Sequence, residues 1–427
     1  MIINDDAIAA LLHTASKPGQ ADIILTLDRM ERLLDRLGRP QDRLPPVFHV
    51  AGTNGKGSTI ATLRSILEAS GQQVHVFTSP HLIHWRERIR LAGRLISDKR
   101  LYALLKQVRA QPVEATPFET LTAAAFLAFA EDPADALLLE TGLGGRGDST
   151  NVVPTPLMSA ISSLGLDHQA YLGQTLKQIA IEKAGIAKPG CPLVLQSCPP
   201  DIFVAICNIA ADAKAPVIAQ DRDWFVETGQ NSLYYKDGQG QLELPRPALP
   251  GIHQVQNTGL AIAMLRHQTR FTDLDFKSGL EKIVWPARLQ KLSKGALVDH
   301  IPATSTLWVD GGHNPAAGHI LAQYFKEHFP GKKLSLVTGI LDRKDYRGFL
   351  TPFRDMPVTV HVTPVTDHAS WPPVEIASFA ESIGLSAMTA STIEEALSQA
   401  PSHCNILITG SLYLAGEALR KNKSTIE

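Results

Sequence analysis

Residues 50–59 read Val50-Ala51-Gly52-Thr53-Asn54-Gly55-Lys56-Gly57-Ser58-Thr59. An apolar run, Val47-Phe48-His49-Val50, precedes them, and Ile60, Leu63 and Leu67 follow at helical spacing until Gly71. Strand, glycine loop, lysine, hydroxyl and helix in that order predict a site for a nucleoside triphosphate on an α/β sheet. The glycines let backbone N–H groups converge on one concavity. The helix N-terminus adds partial positive charge and Lys56 a full one. The loop departs from the usual pattern. Only two residues separate Gly52 from Gly55, and Gly57 stands between Lys56 and the hydroxyl of Ser58.

A chain of 427 residues is too long for one ordinary core, so two domains are expected. Its net charge of −1 provides no general field to draw in nucleic acid or an anionic membrane. The first residues, Met1-Ile2-Ile3-Asn4-Asp5-Asp6, are acidic where a signal peptide is basic. The apolar stretch 123–130 is too short to span a bilayer. Cys191, Cys198, Cys207 and Cys404 show no CxxC spacing and read as reduced, buried thiols of a cytoplasmic protein.

Working outward, hydrophobic spacing predicts an amphipathic helix over 22–37, with Leu27, Met30, Leu33, Leu34 and Leu37 on one face. Strands are expected at 74–78, 134–140, 156–163 and 193–196, and helices at 117–130 and 176–186. Residues 79–98 read as a loop rich in cationic and histidine side chains. Turn signals over 222–250 predict a small antiparallel excursion, followed by a helix at 254–268. The pattern breaks at Trp285-Pro286, and 286–304 read as a connection with a short strand. A second α/β unit starts at 305 with a strand at 307–309. The helix after Asn314-Pro315 is expected to bury Ala317, Ile320, Leu321, Tyr324 and Phe325. Strands at 334–338 and 358–362 follow, then a helix at 374–383 stopped by Gly384. A helix capped by Ser391 with Glu394 three residues on, a strand at 406–409 and a last helix complete the unit. Such alternation predicts mostly parallel sheets.

Several strand ends carry chemistry. Ala136-Leu137-Leu138-Leu139-Glu140 delivers Glu140 to its carboxyl end, where open α/β sheets bind ligands. A carboxylate beside a phosphate loop suits Mg2+; the plainer reading is an acid that caps the next turn. The continuation Thr141-Gly142-Leu143-Gly144-Gly145-Arg146-Gly147-Asp148 favours the ligand, because glycines admit close approach. Leu166-Asp167-His168 follows the next apolar strand. A lone histidine is more often structural, but a third strand end on one sheet edge favours a site. Lys183 shares a helix face with Leu176, Ile179 and Ala180. Either its stem snorkels to water, or it turns into the site near Glu140 and His168; periodicity leaves both open. Thr78-Ser79-Pro80-His81-Leu82, with Arg86, Arg88 and Arg90 beyond, forms a basic loop. It is either a solvated surface or a wall, with His81 and Arg86 in it, for a carboxylate-rich substrate or a transferring phosphate. In the second unit, Val309-Asp310-Gly311-Gly312-His313-Asn314-Pro315 marks a strand-to-helix junction. Asp310 is placed to accept from ribose or adenine and Arg288 to reach phosphates across the interface, while Asn257 lies on the preceding helix. Each has an ordinary structural reading as well.

Taken in order, Gly-Thr-Asn-Gly-Lys-Gly-Ser (52–58), Thr-Ser-Pro-His-Leu (78–82), Arg-Glu-Arg-Ile (86–89), Glu-Thr-Gly-Leu-Gly-Gly-Arg (140–146), Leu-Asp-His (166–168), Glu-Lys-Ala-Gly-Ile (182–186), Asp-Gly-Gly-His-Asn-Pro (310–315) and Thr-Gly-Ser-Leu-Tyr-Leu (409–414) span nearly the whole chain. Together they resemble the bacterial folylpolyglutamate synthase/dihydrofolate synthase family, related to the Mur peptide ligases. The resemblance implies a P-loop-type ATP-binding domain of residues 1–290 and a smaller Rossmann-like domain of 291–427, with the site between them. It implies phosphate binding by Asn54, Gly55, Lys56, Gly57 and Ser58, and ATP contacts at Asn257, Arg288 and Asp310. Mg2+ ligands would be Ser79, Glu140 and His168. Lys183 would be carbamylated and ligate a second metal, with K+ as a further cation. Pterin-side contacts would fall at Asp28 and Arg29, at Thr116, Pro117, Phe118 and Glu119, and at Gly147, Asp148 and Ser149. The chain departs from the family at Pro286-Ala287-Arg288, where Pro-Gly-Arg is common, at Thr26-Leu27-Asp28-Arg29, where Gly-Leu-Glu-Arg is common, and in an extra segment at 293–305.

The implied reaction joins L-glutamate to dihydropteroate or to (tetrahydro)folate polyglutamates. ATP activates the carboxylate as an acyl phosphate, and the enzyme is a cytoplasmic monomer, bifunctional in the fuller reading. A monofunctional folylpolyglutamate synthase and a Mur-type ligase of UDP-linked sugars are the alternatives, and a non-catalytic nucleotide switch is the rival from another class. The sequence has no Asn-Lys-x-Asp guanine motif, and its surplus of metal-ligand candidates argues against a switch.

Overall fold

The computed structural model describes residues 3–13, 25–266 and 271–424. Val47–Ala51 forms β1, buried at every position, inside the first sheet. Its companions are β2 (Val74–Phe77), β3 (Ile89–Leu91), β4 (Arg94–Leu95), β5 (Ala136–Glu140), β6 (Met158–Ile161), β7 (Leu193–Leu195) and β8 (Val217–Ala219). The order is β4-β3-β2-β5-β1-β6-β7-β8, parallel from β2 to β8, with β3 and β4 as an antiparallel edge. Helices cover both faces, so apolar residues are needed on both. Phe48, Val50, Ala136 and Leu138 join one core with the helices Lys56–Ala69 and Ile252–Arg266. Val47, Leu137 and Leu139 point the other way, into a core with Asp28–Arg36 and Pro117–Glu131. The register pairs Val50 with Glu140, which sets the glycine loop beside that carboxylate.

The expected excursion is a three-stranded antiparallel sheet of β9 (Trp224–Thr228), β10 (Ser232–Asp237) and β11 (Gly240–Pro245). The second large sheet contains β12 (Gln290–Leu292), β13 (Thr306–Val309), β14 (Leu334–Thr338), β15 (Val358–Val362), β16 (Ser386–Thr389) and β17 (Asn405–Thr409). Their order is β12-β13-β17-β14-β15-β16, parallel except for β12.

Several expectations shift. The helix expected over 22–37 spans Asp28–Arg36; residues 22–24 of the expected one, and residues 267 and 268 of another, lie outside the described residues. Residues 79–98 are not all loop, since Ile89 and Arg90 complete a pairing with β2 and form β3. The cap expected at Ser391 falls on Thr392, whose hydroxyl accepts the Glu395 N–H. Ala317 and Ile320 are half-buried, because they face a cleft rather than the core. All four cysteines are free; Cys198 and Cys207 are only half-buried. Among the described residues no helix is long and apolar enough to cross a membrane.

Candidate active site

The loops after β1, β2, β5 and β6 face those after β13, β14 and β17 across a cleft of about 640 Å3. The glycine loop forms its floor. Gly52 and Gly55 have φ of +152° and +86°, which side chains rarely adopt. A Cβ on Gly55 would run into the Asn257 amide, and one on Gly57 would stand 2.9 Å from the Trp285 indole. Gly57 is therefore the condition for Trp285 to pack on this helix. Lys56 Nζ donates to the Gly52 and Thr53 carbonyls at 3.1 and 3.3 Å, and lies 3.9 Å from Glu140 Oε1. Ser58 also lines the floor.

Glu140 is buried, and its Oε2 accepts the Ser79 N–H at 3.2 Å. Burial pushes its carboxyl above the usual range, against the pull of Lys56. His168 has φ +52°, a left-handed turn that follows β6. Burial lowers its imidazole to about 3 despite Asp167, so it stands neutral with a lone pair to offer. Among the described residues no three His, Cys, Asp or Glu side chains gather as a metal cage. Glu140, Ser79 and His168 all line the cleft; a carboxylate with a nearby hydroxyl suits Mg2+, which takes few protein ligands and completes its shell with water and phosphate oxygens.

Lys183 turns inward. It is buried, and its Nζ donates to the Gly52 carbonyl at 2.8 Å. Burial, aided by the charge of Lys56, lowers it from 10.5 to about 7. Gly142, Gly144 and Gly147 line the cleft, yet a Cβ on any glycine of 142–147 would run into protein. Phe118 lies over Gly142, helix Leu176–Ala184 backs Gly145, and the Leu25 carbonyl would be 2.6 Å from a Cβ on Gly147. Their first duty is close packing, a reading the sequence did not suggest. Asp148 and Ser149 line the cleft, but the Asp148 carboxylate already accepts the Leu143 N–H at 2.7 Å and the Thr150 N–H at 3.0 Å.

Thr116, Pro117, Phe118 and Glu119 line the far end with Arg29. Glu119 closes a capping box on Thr116, and Arg29 Nε donates to both of its oxygens at 2.8 and 3.0 Å. Asp28, His81 and Arg86 do not line the wall. Asp28 is exposed, and Arg86 turns towards Asp98 at 3.6 Å, because the 3-10 turn Trp85–Arg88 sends Arg86 and Arg88 in different directions. The arginine in the cleft is Arg88. Its Nε donates to His81 Nδ1 at 2.9 Å and it lies over Trp85 at 4.7 Å. Burial lowers this guanidinium to about 10 and His81 to about 3, so His81 stays a neutral acceptor behind the arginine.

Across the cleft, Asn314 caps helix Pro315–His328 and exchanges two amide hydrogen bonds with Asn54, at 3.3 and 2.9 Å. Asp310 accepts the Leu289 and Gly312 N–H groups at 2.8 and 2.7 Å, which braces the turn through Ala287 and Leu289, both at positive φ. Arg288 and Asn257 line the same end. Asp167 takes Lys344 at 2.5 Å and has His313 Nε2 at 3.6 Å. Burial pushes this carboxyl up, but His313, His168 and Lys344 outweigh it and hold it well below the usual range. Arg343 and Lys344 also line the cleft, outside every sequence motif, and so do His313, Ser411 and Tyr413, which lie within motifs but have no role assigned by the sequence.

Two α/β sheets presenting cations, a buried carboxylate and a glycine loop to one cleft define a nucleotide-dependent ligase of the acid–amine type. A family model described as dihydrofolate synthetase, C-terminal domain, matches residues 296–421. The chain is 38% identical over 356 residues to a Bacillus subtilis dihydrofolate synthase/folylpolyglutamate synthase, covering 78% of this chain and 80% of that one. Its fold matches that of E. coli FolC in complex with DHPP and ADP with a TM-score of 0.87 at 27% identity, over 97% of both chains. A bifunctional folylpolyglutamate synthase/dihydrofolate synthase with Mn, AMPPNP and L-glutamate bound gives 0.85 at 30% identity, over 98% and 97%. The chain belongs to the dihydrofolate synthase/folylpolyglutamate synthase family.

Proposed function

We infer that this chain joins the amine of L-glutamate to the carboxylate of dihydropteroate and to the terminal carboxylate of (tetrahydro)folate polyglutamates, with ATP as the driving substrate. The observation behind this reading is the meeting of Lys56, Lys183 and Glu140 at the Gly52 edge, opposite the Asn54–Asn314 pair. The related structure that holds AMPPNP, Mn and L-glutamate supports it.

A carboxylate is a poor electrophile. Its oxygen attacks the γ-phosphorus of ATP, the bond to the β-γ bridging oxygen breaks, and ADP leaves. That transfer needs positioning and charge neutralisation more than covalent help. Asn54, Gly55, Lys56, Gly57 and Ser58 cradle the phosphates, while Asn257, Arg288 and Asp310 hold the nucleoside and the outer phosphates. Ser79, Glu140 and His168 would hold Mg2+, which neutralises phosphate charge when bound. Lys183 would act as its carbamate toward a second cation, with K+ as a further one. Arg88, braced by His81, faces the anionic acyl phosphate. The glutamate amine then attacks the acyl carbon, loses a proton, and phosphate departs. Arg29, Thr116–Glu119 and Gly147–Ser149 take the pterin side. We assign residues 1–290 to the ATP-binding domain and 291–427 to the C-terminal domain of a monomeric, cytoplasmic enzyme. Phosphate release is the test. Glutamate-dependent release with dihydropteroate and also with tetrahydrofolate supports the bifunctional reading. Release with only one substrate narrows it, and release with neither refutes it.

A further inference from the structure

Beside the cleft lies a second cavity, open and of about 780 Å3, between helix Asp28–Arg36 and the loop at 112–114. Arg29 lines both cavities. Arg32 and Arg36 continue from it at i+3 and i+7, on one helix face. Two acids share this wall. Asp35 is held by Arg39 at 2.7 Å, and Glu114 is the other. Among the described residues Arg32 and Arg36 have no ion-pair partner within 4 Å, and both are exposed. Pro112 and Val113 supply an apolar strip opposite them.

We propose that this cavity is an outer subsite for longer poly-γ-glutamyl substrates, with Arg32 and Arg36 taking the α-carboxylates of inner glutamyl units. The proposal rests on the folate-ligase reading above. In that reading the terminal carboxylate stays at Lys56 and Glu140 in every cycle. Each added unit must then push the pterin end outward, by more than the roughly 3.5 Å of an α-linked residue. After a few units the pterin has left the pocket around Phe118. The segment that replaces it carries one carboxylate per unit. Arg29 lines both the cleft and this cavity, with its Nε committed to Glu119. Arg32 and Arg36 then meet anions that a monoglutamate substrate does not have. Exposed pairs of this kind are individually weak and are screened by salt.

The test uses the full-length enzyme with an Arg32→Gln/Arg36→Gln double variant, and tetrahydrofolate carrying one or five glutamates. Both side chains are exposed, so folding is expected to survive and circular dichroism checks it. The expected result is a KM for the pentaglutamate raised about three- to tenfold, an effect that shrinks in 0.5 M salt, with the monoglutamate KM and kcat within about twofold of wild type. Products of the variant should also be shorter. An unchanged pentaglutamate KM, or an equal rise for both substrates, overturns the subsite. A wild-type enzyme that elongates no pterin substrate overturns the ligase reading and the subsite with it.

Discussion

Burial brings the Lys183 ammonium from 10.5 to about 7, a value at which neutral amine is available to capture CO2 near neutrality. Periodicity could not decide whether this lysine snorkels or points inward. The Gly52 carbonyl that receives it lies 131 residues away, and no local pattern encodes that meeting. The same limit applies to Arg88 and Arg86, since spacing flagged a basic loop but not which arginine enters the cleft. The sign of the lysine's effect on stability follows from linkage. Its folded value lies below the unfolded one, so between about pH 7 and 10.5 the unfolded chain holds more protons and stability rises with pH. In CO2-free buffer, urea unfolding of the wild type should show that rise from pH 7 to 9, and Lys183→Met should flatten it. Lys183→Ala should lower glutamate-dependent phosphate release about 10–100-fold, with partial recovery on adding acetate. No loss of turnover would remove Lys183 from the machinery.

At the scale of elements, the strands and helices around the site were the most legible part of the chain. Residues 334–338 and 358–362 fall where their apolar runs predicted. Helix Asp98–Arg109 went unforeseen although Ser97 caps it and Leu101, Leu104, Leu105 and Val108 form its stripe. The exposed edge strand Ser386–Thr389 lacks a buried face and so had no periodic signal to read. Helix Pro117–Glu131 shows how an element and a site share residues. Its Thr116–Glu119 capping box is also the platform that holds Arg29. Thr116→Ala removes an N-cap worth about 1 kcal/mol and one of the donors that orient Glu119. Thermal unfolding should fall by about 2 °C, and the KM for the pterin substrate should rise while that for ATP holds. Equal rises in both would mean that the change spreads beyond the Arg29 end.

The site needs its two sheets to stay opposed, and among the described residues contacts of three different kinds help to hold that opposition. Asn54 and Asn314 are a neutral amide pair, and Asp167 with Lys344 is a buried ion pair 177 residues apart in sequence. The third is a loop of the first domain seated in the second. Leu82 and Ile83 pack against the core that includes Leu414, Ala415 and Leu419, and Gly416 leaves room for the Leu82 carbonyl. That loop also carries Ser79 at one end and Arg88 at the other, so its seating positions both a candidate metal ligand and the cleft arginine. A side chain at Gly416 must displace the Leu82 backbone, at a cost of about 1–3 kcal/mol that falls on the domain contact rather than on either core. Gly416→Val should therefore leave two folded domains with a larger radius of gyration by small-angle scattering. The glycine loop lies wholly in the first domain, so ATP binding should weaken only by the loss of contacts near Asp310. Ligase turnover, which needs the acyl phosphate kept from water between the domains, should fall by at least an order of magnitude, with ATP hydrolysis uncoupled from amide formation. A variant that keeps wild-type coupling with an expanded radius would show that closure is not held by this loop.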